Sequence, residues 1–217
     1  MPDWLSVKTR SSIYRRFCMY SAAHPDARCR CLRVAVLLAA VIVLGSAHTD
    51  ATARQPKAQP TVEATDLAKR IHAQINKKRK MHGLKSLTWD HALSRIAIKH
   101  SRDMASRNYL SHDSPEGKGF SHRYQQAGYA CEIRVGMVVY TGAENIALNH
   151  LYNSMKRENG IAYYNWNSAQ EIAQRTVDGW MNSPGHRENI LTPYWRQEGI
   201  GIVIGPGNKV YITQNFC

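Results

Sequence analysis

No stretch of the 217 residues holds the run of about 20 apolar positions that a membrane-spanning helix needs. The longest apolar run, Val34 to Leu44, is 11 residues. Acidic residues are few, 16 against 29 Lys and Arg, for a net charge of +13. There is no zinc-finger spacing and no aromatic, Gly-rich strand motif, which removes the common nucleic-acid modules. There is also no His-Glu-x-x-His, the pattern that sets two metal ligands one helical turn apart. Internal repeats are absent, so a solenoid is excluded.

What is present divides the chain. Arg28, Arg30 and Arg33 lead into the short apolar run, and Gly45-Ser46-Ala47 or Ala51-Thr52-Ala53 follows with cleavage-type small residues. This reads as a signal peptide over 1–47, with an uncleaved N-terminal membrane anchor as the alternative. Met19 is an alternative start, and no Cys follows the run to suggest a lipoprotein. Residues 48–62, rich in Ala, Thr, Gln and Pro, read as a linker. The expected domain is 63–217, placed outside the cytoplasm by either reading: secreted, periplasmic or tethered. Residues 48–217 keep 22 basic against 14 acidic side chains, a net of +8. Such a surface suits an anionic partner such as a cell envelope, or is simply a solvated basic surface.

Cysteine is sparse. Cys18, Cys29 and Cys31 precede the domain, leaving Cys131 and Cys217 within it. Two cysteines in an oxidising compartment pair. A Cys131–Cys217 bridge would tie down the last strand across a loop of about 85 residues, worth a few kcal/mol in the chain-entropy model.

Periodicity places helices over Glu63–Met81, His91–Asn108, Phe120–Ala127 and Ala169–Asn182. The first ends in Lys77, Lys78, Arg79 and Lys80, read as a solvated basic turn. Asp90 is an N-cap for the second. His100 falls on that helix's apolar face, where a buried imidazole bonded to backbone is expected. Val135 to Tyr140 leans toward strand, Asn149 to Asn167 reads as an irregular insertion, and Gly199–Ile204 with Val210–Phe216 read as a hairpin across Gly205-Pro206-Gly207-Asn208. Helices followed by a small antiparallel sheet define an α+β fold.

Three turn-rich or breaker-flanked segments carry the chemistry: Ser111-His112-Asp113-Ser114-Pro115, Gly142 to Ala147, and Asn182 to Leu191. The third reads as a Pro-Gly helix stop that presents His186 on a turn. His112, Glu144 and His186 form a possible open metal site for zinc or calcium, or a general acid/base set. Ser183 beside His186 is a nucleophile–base candidate that lacks an orienting third group. Glu171 and Glu188 are further carboxylates, Glu188 expected to face solvent or pair with Arg187. Asn145 and Asn189 are expected to bond backbone locally, and Trp180 and Trp195 to wall the core.

Taken together the motifs resemble the CAP superfamily of cysteine-rich secretory, antigen 5 and pathogenesis-related-1 proteins, in its bacterial SCP-like extracellular branch. The resemblance rests on Gly83-Leu84, Leu87 and Asp90, Ala97 to Met104, Leu110-Ser111-His112 with Pro115 and Gly117, and Arg123 with Ala127-Gly128-Tyr129. It continues through Gly142 to Ala147, Trp180 to Leu191, Gly199-Ile200-Gly201 and Tyr211 to Phe216. It implies an α–β–α sandwich in which two His and two Glu converge. His112, Glu144 and His186 match three of these; Asn182-Ser183 stands where the second Glu would be, and Gly142-Ala143-Glu144 replaces a Gly-Glu pair. The resemblance implies a secreted, mostly non-enzymatic module whose cleft binds metal, peptide, lipid or wall material, with a metal-assisted extracellular peptidase as the alternative.

Overall fold

The computed structural model describes residues 58–217. The expected signal segment or anchor over 1–47, Cys18, Cys29, Cys31 and most of the 48–62 linker lie outside the described residues. The elements in order are α1 (Ala64–Met81), β1 (Thr88–Trp89), α2 (His91–Arg107), α3 (Phe120–Gln126), β2 (Ile133–Val135), β3 (Val138–Tyr140) and β4 (Ala143–His150). They continue with β5 (Tyr152–Glu158), β6 (Ile161–Trp166), α4 (Ala169–Asn182), α5 (Pro184–Leu191), β7 (Gln197–Gly205) and β8 (Lys209–Phe216).

β1, β7, β8 and β4 form one sheet in that order, parallel between β1 and β7 and antiparallel elsewhere. Strand alternation sends successive residues to opposite faces. Ile200, Ile202, Val210 and Ile212 join Leu67, Ile71 and Ile75 of α1 and Ile172, Ala173 and Val177 of α4 in one apolar cluster. Gly199 and Gly201 face α2 instead. A Cβ at Gly201 would lie 2.0 Å from the Ile98 nitrogen, so helix and strand backbones touch and no side chain fits between them. Ser94 and Ser101 of α2 donate to the Ile200 and Gly201 carbonyls across this contact. The result is the α–β–α sandwich, with α2 on one face and α1, α4 and α5 on the other.

Local signals set the helix starts. Asp90 accepts from Ala92 and Leu93, and Ser168 with Glu171 closes a capping box on α4. Arg79 departs from the expected solvated turn. It extends the inward Ile71–Ile75 stripe by four residues and is fully buried. Its guanidinium donates to the carbonyls of Lys85, Ile190 and Thr192 at 2.9, 2.6 and 2.9 Å, anchoring the end of α5.

Asn149 to Asn167 is not irregular. It completes β4 and then forms the β5–β6 hairpin, whose Glu158–Ile161 register closes on Asn159-Gly160. Both turn residues have positive φ, 49° and 80°, as a two-residue Asn-Gly turn requires. A Tyr152, Tyr164 and Trp166 cluster braces its base. The Cys131–Cys217 bridge forms as expected, with Cα atoms 5.6 Å apart.

Candidate functional site

The site wraps around the free edge of β4. β4 is the outer strand of the sheet, and its opening residues point to opposite faces. The chain enters through Gly142, at φ 109°, where a Cβ would lie 2.7 Å from the Tyr124 ring. Only glycine allows that close entry.

Glu144 turns toward the α2 face and is 4% exposed. Its Oε1 accepts from His112 Nδ1 at 2.9 Å and its Oε2 from Arg123 Nη2 at 2.6 Å. His100 Nε2 lies 3.9 Å from Oε1 and donates to the Ser111 carbonyl at 3.0 Å. Arg123 also donates to the His112 and Lys118 carbonyls, so it fixes the loop that carries His112. A buried carboxylate needs such partners, because isolated ionised groups are costly away from water.

Asn145 turns the other way and is fully buried. Its Nδ2 donates to the His186 carbonyl at 3.2 Å and to Gln214 Oε1 at 3.0 Å, and its Oδ1 accepts from Asn189 Nδ2 at 2.9 Å. Asn189 donates to the Glu144 carbonyl as well. The expected local bonds are therefore replaced by long-range ones that staple α5 to the strand. The chain of polar groups goes on through Gln214 to Glu198 at 2.5 Å, and from Glu198 to His72 of α1 at 2.5 Å.

His186 lies on α5, not on a turn. Pro184 occupies the first turn of a new helix instead of ending the old one, a position where its missing N–H costs nothing. The His186 ring stands 6.3 Å from that of His112, tilted by 44°. Burial lowers the His186 pKa below the ordinary imidazole value, and the neighbouring His112 lowers it further. Burial likewise lowers His100, against the opposing pull of Glu144. His112 is about half exposed, with 48% of its side chain in solvent.

The structure thus brings His112, Glu144 and His186 together and adds Arg123 and His100 beneath them. Ser183 links α4 to α5, makes no capping bond through its side chain and has no hydrogen bond to His186 among the described residues. Glu171 is engaged in the α4 capping box, at the far end of that helix. Glu188 is exposed, while Arg187 bonds the Met181 carbonyl. Trp180 and Trp195 are buried walls, Trp180 donating to the Ile146 carbonyl. Arg123 was visible in the sequence only as part of a motif; nothing in its spacing pointed to Glu144.

For a metal, the donors at hand are two imidazoles and a carboxylate whose oxygens both already accept hydrogen bonds. Among the described residues no group of three or more His, Cys, Asp or Glu is arranged to hold an ion. Glu144 stands behind His112 as the carboxylate that orients an imidazole, the place such groups take outside a ligand shell. Among these donors, His112 Nε2 and the His186 ring are the ones without a hydrogen bond among the described residues, while Glu144 is taken up by His112 and Arg123.

Fold and site define an α–β–α module with a paired-imidazole cleft. The chain belongs to the cysteine-rich secretory protein family, CAP, whose model matches residues 72–216. It is 31% identical over 152 residues to the uncharacterized membrane protein YlbC of Bacillus subtilis, covering 70% of this chain and 34% of that one. It is 32% identical over 136 residues to the uncharacterized protein YkwD of the same organism, covering 62% and 42%. The chain thus spans less than half the length of these curated relatives. Among solved structures, an extracellular SCP-domain protein of Bacillus anthracis aligns with TM-score 0.51 and 27% identity, over 73% of this chain and 44% of that one. An outer surface protein of Borrelia burgdorferi aligns with TM-score 0.52 and 17% identity, over 73% and 97%, and shares the fold.

Proposed function

We propose that the chain is a secreted or envelope-attached binding module whose His112–Glu144–His186 cleft holds a ligand without turning it over. The observation that carries this is the state of Glu144: buried, with one oxygen on Arg123 and the other on His112. A general base must be free to take a proton from substrate or water. This carboxylate instead serves as a post that orients His112, leaving the His112 and His186 rings to meet the ligand. That ligand is a peptide, lipid or wall fragment, or a divalent ion such as zinc or calcium that the two imidazoles hold with help from the ligand itself. The disulfide, the net positive charge, the short apolar run near the N-terminus and the similarity to an extracellular SCP-domain protein support a site outside the cytoplasm, against an anionic envelope.

The runner-up is a metal-assisted peptidase using the same three residues, favoured by the carboxylate-oriented imidazole at 2.9 Å. Two experiments on the purified chain separate them. Calorimetric titration with zinc and with calcium, on wild type, His112→Ala and His186→Ala, reads metal binding directly. Incubation with unfolded peptide substrate plus zinc reads turnover. The binding reading expects no turnover; cleavage that disappears in His112→Ala overturns it.

A further inference from the structure

β1 is two residues long and its neighbour β7 is nine, so most of that edge of the sheet carries no strand. Asp90 is the cause. Its amide donates to the Glu198 carbonyl and ends the pairing, and its side chain caps α2, which carries the chain away from the sheet. From Gly199 to Ile204 the edge of β7 then runs without charge, proline or a break in register, the devices that ordinarily block an open edge.

The pairing on either side of β7 decides which groups this edge presents. The Gln197 amide and carbonyl both bond Cys217, next to β8, while the Glu198 carbonyl accepts from Asp90 on the opposite side. Strand alternation therefore turns the amides and carbonyls of Ile200, Ile202 and Ile204 toward the open edge. The Ile200 carbonyl takes the Ser94 hydroxyl at 2.9 Å. Neither outward group of Ile202 or Ile204 has a hydrogen bond among the described residues.

The edge looks into a slot of about 470 Å³. Ala64 and Ala68 of α1 form one wall, and Arg95 and Ile98 of α2 the other. These helices cover opposite faces of the sheet, so the slot runs along the edge itself, with Trp89 at the point where β1 stops. No carboxylate lines it, and Lys69 and Arg95 on its rim have no ion pair among the described residues.

We propose that this edge binds an extended peptide by strand addition beside β7, its apolar residues alternating with acidic ones. Backbone donors and acceptors repeated at strand spacing are matched by another extended backbone, and pockets for alternate side chains give the selectivity. Ile200 to Ile204 spans about 13 Å at the rise of a strand, room for about four added residues. Side chains of the added strand point alternately to the two walls. The small Ala64 and Ala68 leave space for apolar groups on the α1 side, and Arg95 faces acidic ones on the α2 side. The rim charge sets only this preference; the open edge does the holding.

The test is calorimetric titration of the purified chain with a capped hexapeptide in which valine alternates with glutamate. Saturable binding is expected. N-methylation of alternate amides should abolish it in one register and spare it in the other, because only one edge of the peptide meets β7. Thr65 is exposed and lines the slot, so Thr65→Trp should fill the space, weaken binding by about tenfold or more and leave the thermal midpoint at the wild-type value. Amide exchange read by NMR should slow at Ile202 and Ile204 when peptide is present, while the His112 and His186 rings stay unshifted. Absence of binding at millimolar peptide overturns the site, as does equal binding of both methylated registers or binding that Thr65→Trp retains. Peptide that shifts the two histidines and not the β7 amides belongs to the cleft and overturns it too. A dimer of the chain that Thr65→Trp breaks would give the edge to a second copy and overturn the peptide assignment.

Discussion

Glu144 and Arg123 form an ion pair at 2.6 Å in which the Glu144 side chain is 1% exposed and the Arg123 side chain 13%. The pair joins the edge strand to α3 and, through the Arg123 bond to the His112 carbonyl, to the loop that carries the first histidine. Removing one partner of a buried pair strands the other charge, at a cost of about 3–5 kcal/mol, whereas removing both is far milder. Arg123→Met should therefore lower unfolding stability by about that amount. Arg123→Met with Glu144→Gln should recover much of it. Urea denaturation of the two variants checks this; equal stability of single and double variants would mean the pair is not what Glu144 depends on.

Asn145 and Asn189 act as one unit. Each amide bonds the other and a backbone carbonyl on the partner element. Truncating either leaves buried polar groups unpaired, at about 1–3 kcal/mol. Groups in one network are not additive. A double-mutant cycle with Asn145→Ala and Asn189→Ala should show a coupling of about 1 kcal/mol or more, the second truncation costing less than the first. Strict additivity in urea denaturation would dissolve the network into independent bonds.

How much of this was legible in the sequence depends on the scale of the signal. The α4 limits, the hairpin of β7 and β8, the Asp90 cap and the disulfide partners all follow from short-range pattern or simple counting, and the structure has them. The β5–β6 hairpin stands where an irregular insertion is expected, although Asn159-Gly160 is a strong two-residue turn signal. Its strands are polar and largely exposed, so they lack the apolar alternation by which a half-buried strand is recognised. Pro184-Gly185 is ambiguous by nature: proline stops one helix and starts the next, and the tertiary contacts of α5, with Ile190 in the core and its carbonyl bonded by Arg79, decide which. The His112–Glu144–His186 grouping came from motif order. The orientation of Glu144 and Asn145 to opposite faces follows once the segment is known to be a strand, but what each face meets is a property of the assembled sheet and helices.

The Cys131–Cys217 bridge ties the segment before β2 to the chain end, closing a sequence separation of 86 residues. The Cys217 carbonyl accepts from Arg196 and Gln197, so the bridge also steadies the start of β7. Cys131→Ser with Cys217→Ser should cost about 2–5 kcal/mol. The double variant keeps the polar contacts of the site, so its His112 and His186 NMR signals should remain near their wild-type positions while its thermal midpoint falls. An unchanged midpoint would place the bridge outside the cooperative unit.

The buried His100 and the half-buried His186 give the chain an acid-sensitive stability. His100 and His186 both have folded-state pKa values below their ordinary 6.5, because burial disfavours the charged ring. Between the lowered value and 6.5 the unfolded chain binds more protons than the folded one. By linkage, stability then rises with pH through that window and falls as pH drops from about 6.5. For His186 the positive charge that forms on acidification would also face His112 across 6.3 Å. Denaturation midpoints at pH about 7.5 and about 5.5 should thus fall on acidification, and the fall should shrink in His186→Gln and in His100→Gln. Each substitution removes one group that must charge on unfolding while leaving the other in place. If both variants keep the wild-type slope, the proton uptake lies with other groups and the imidazoles are neutral bystanders.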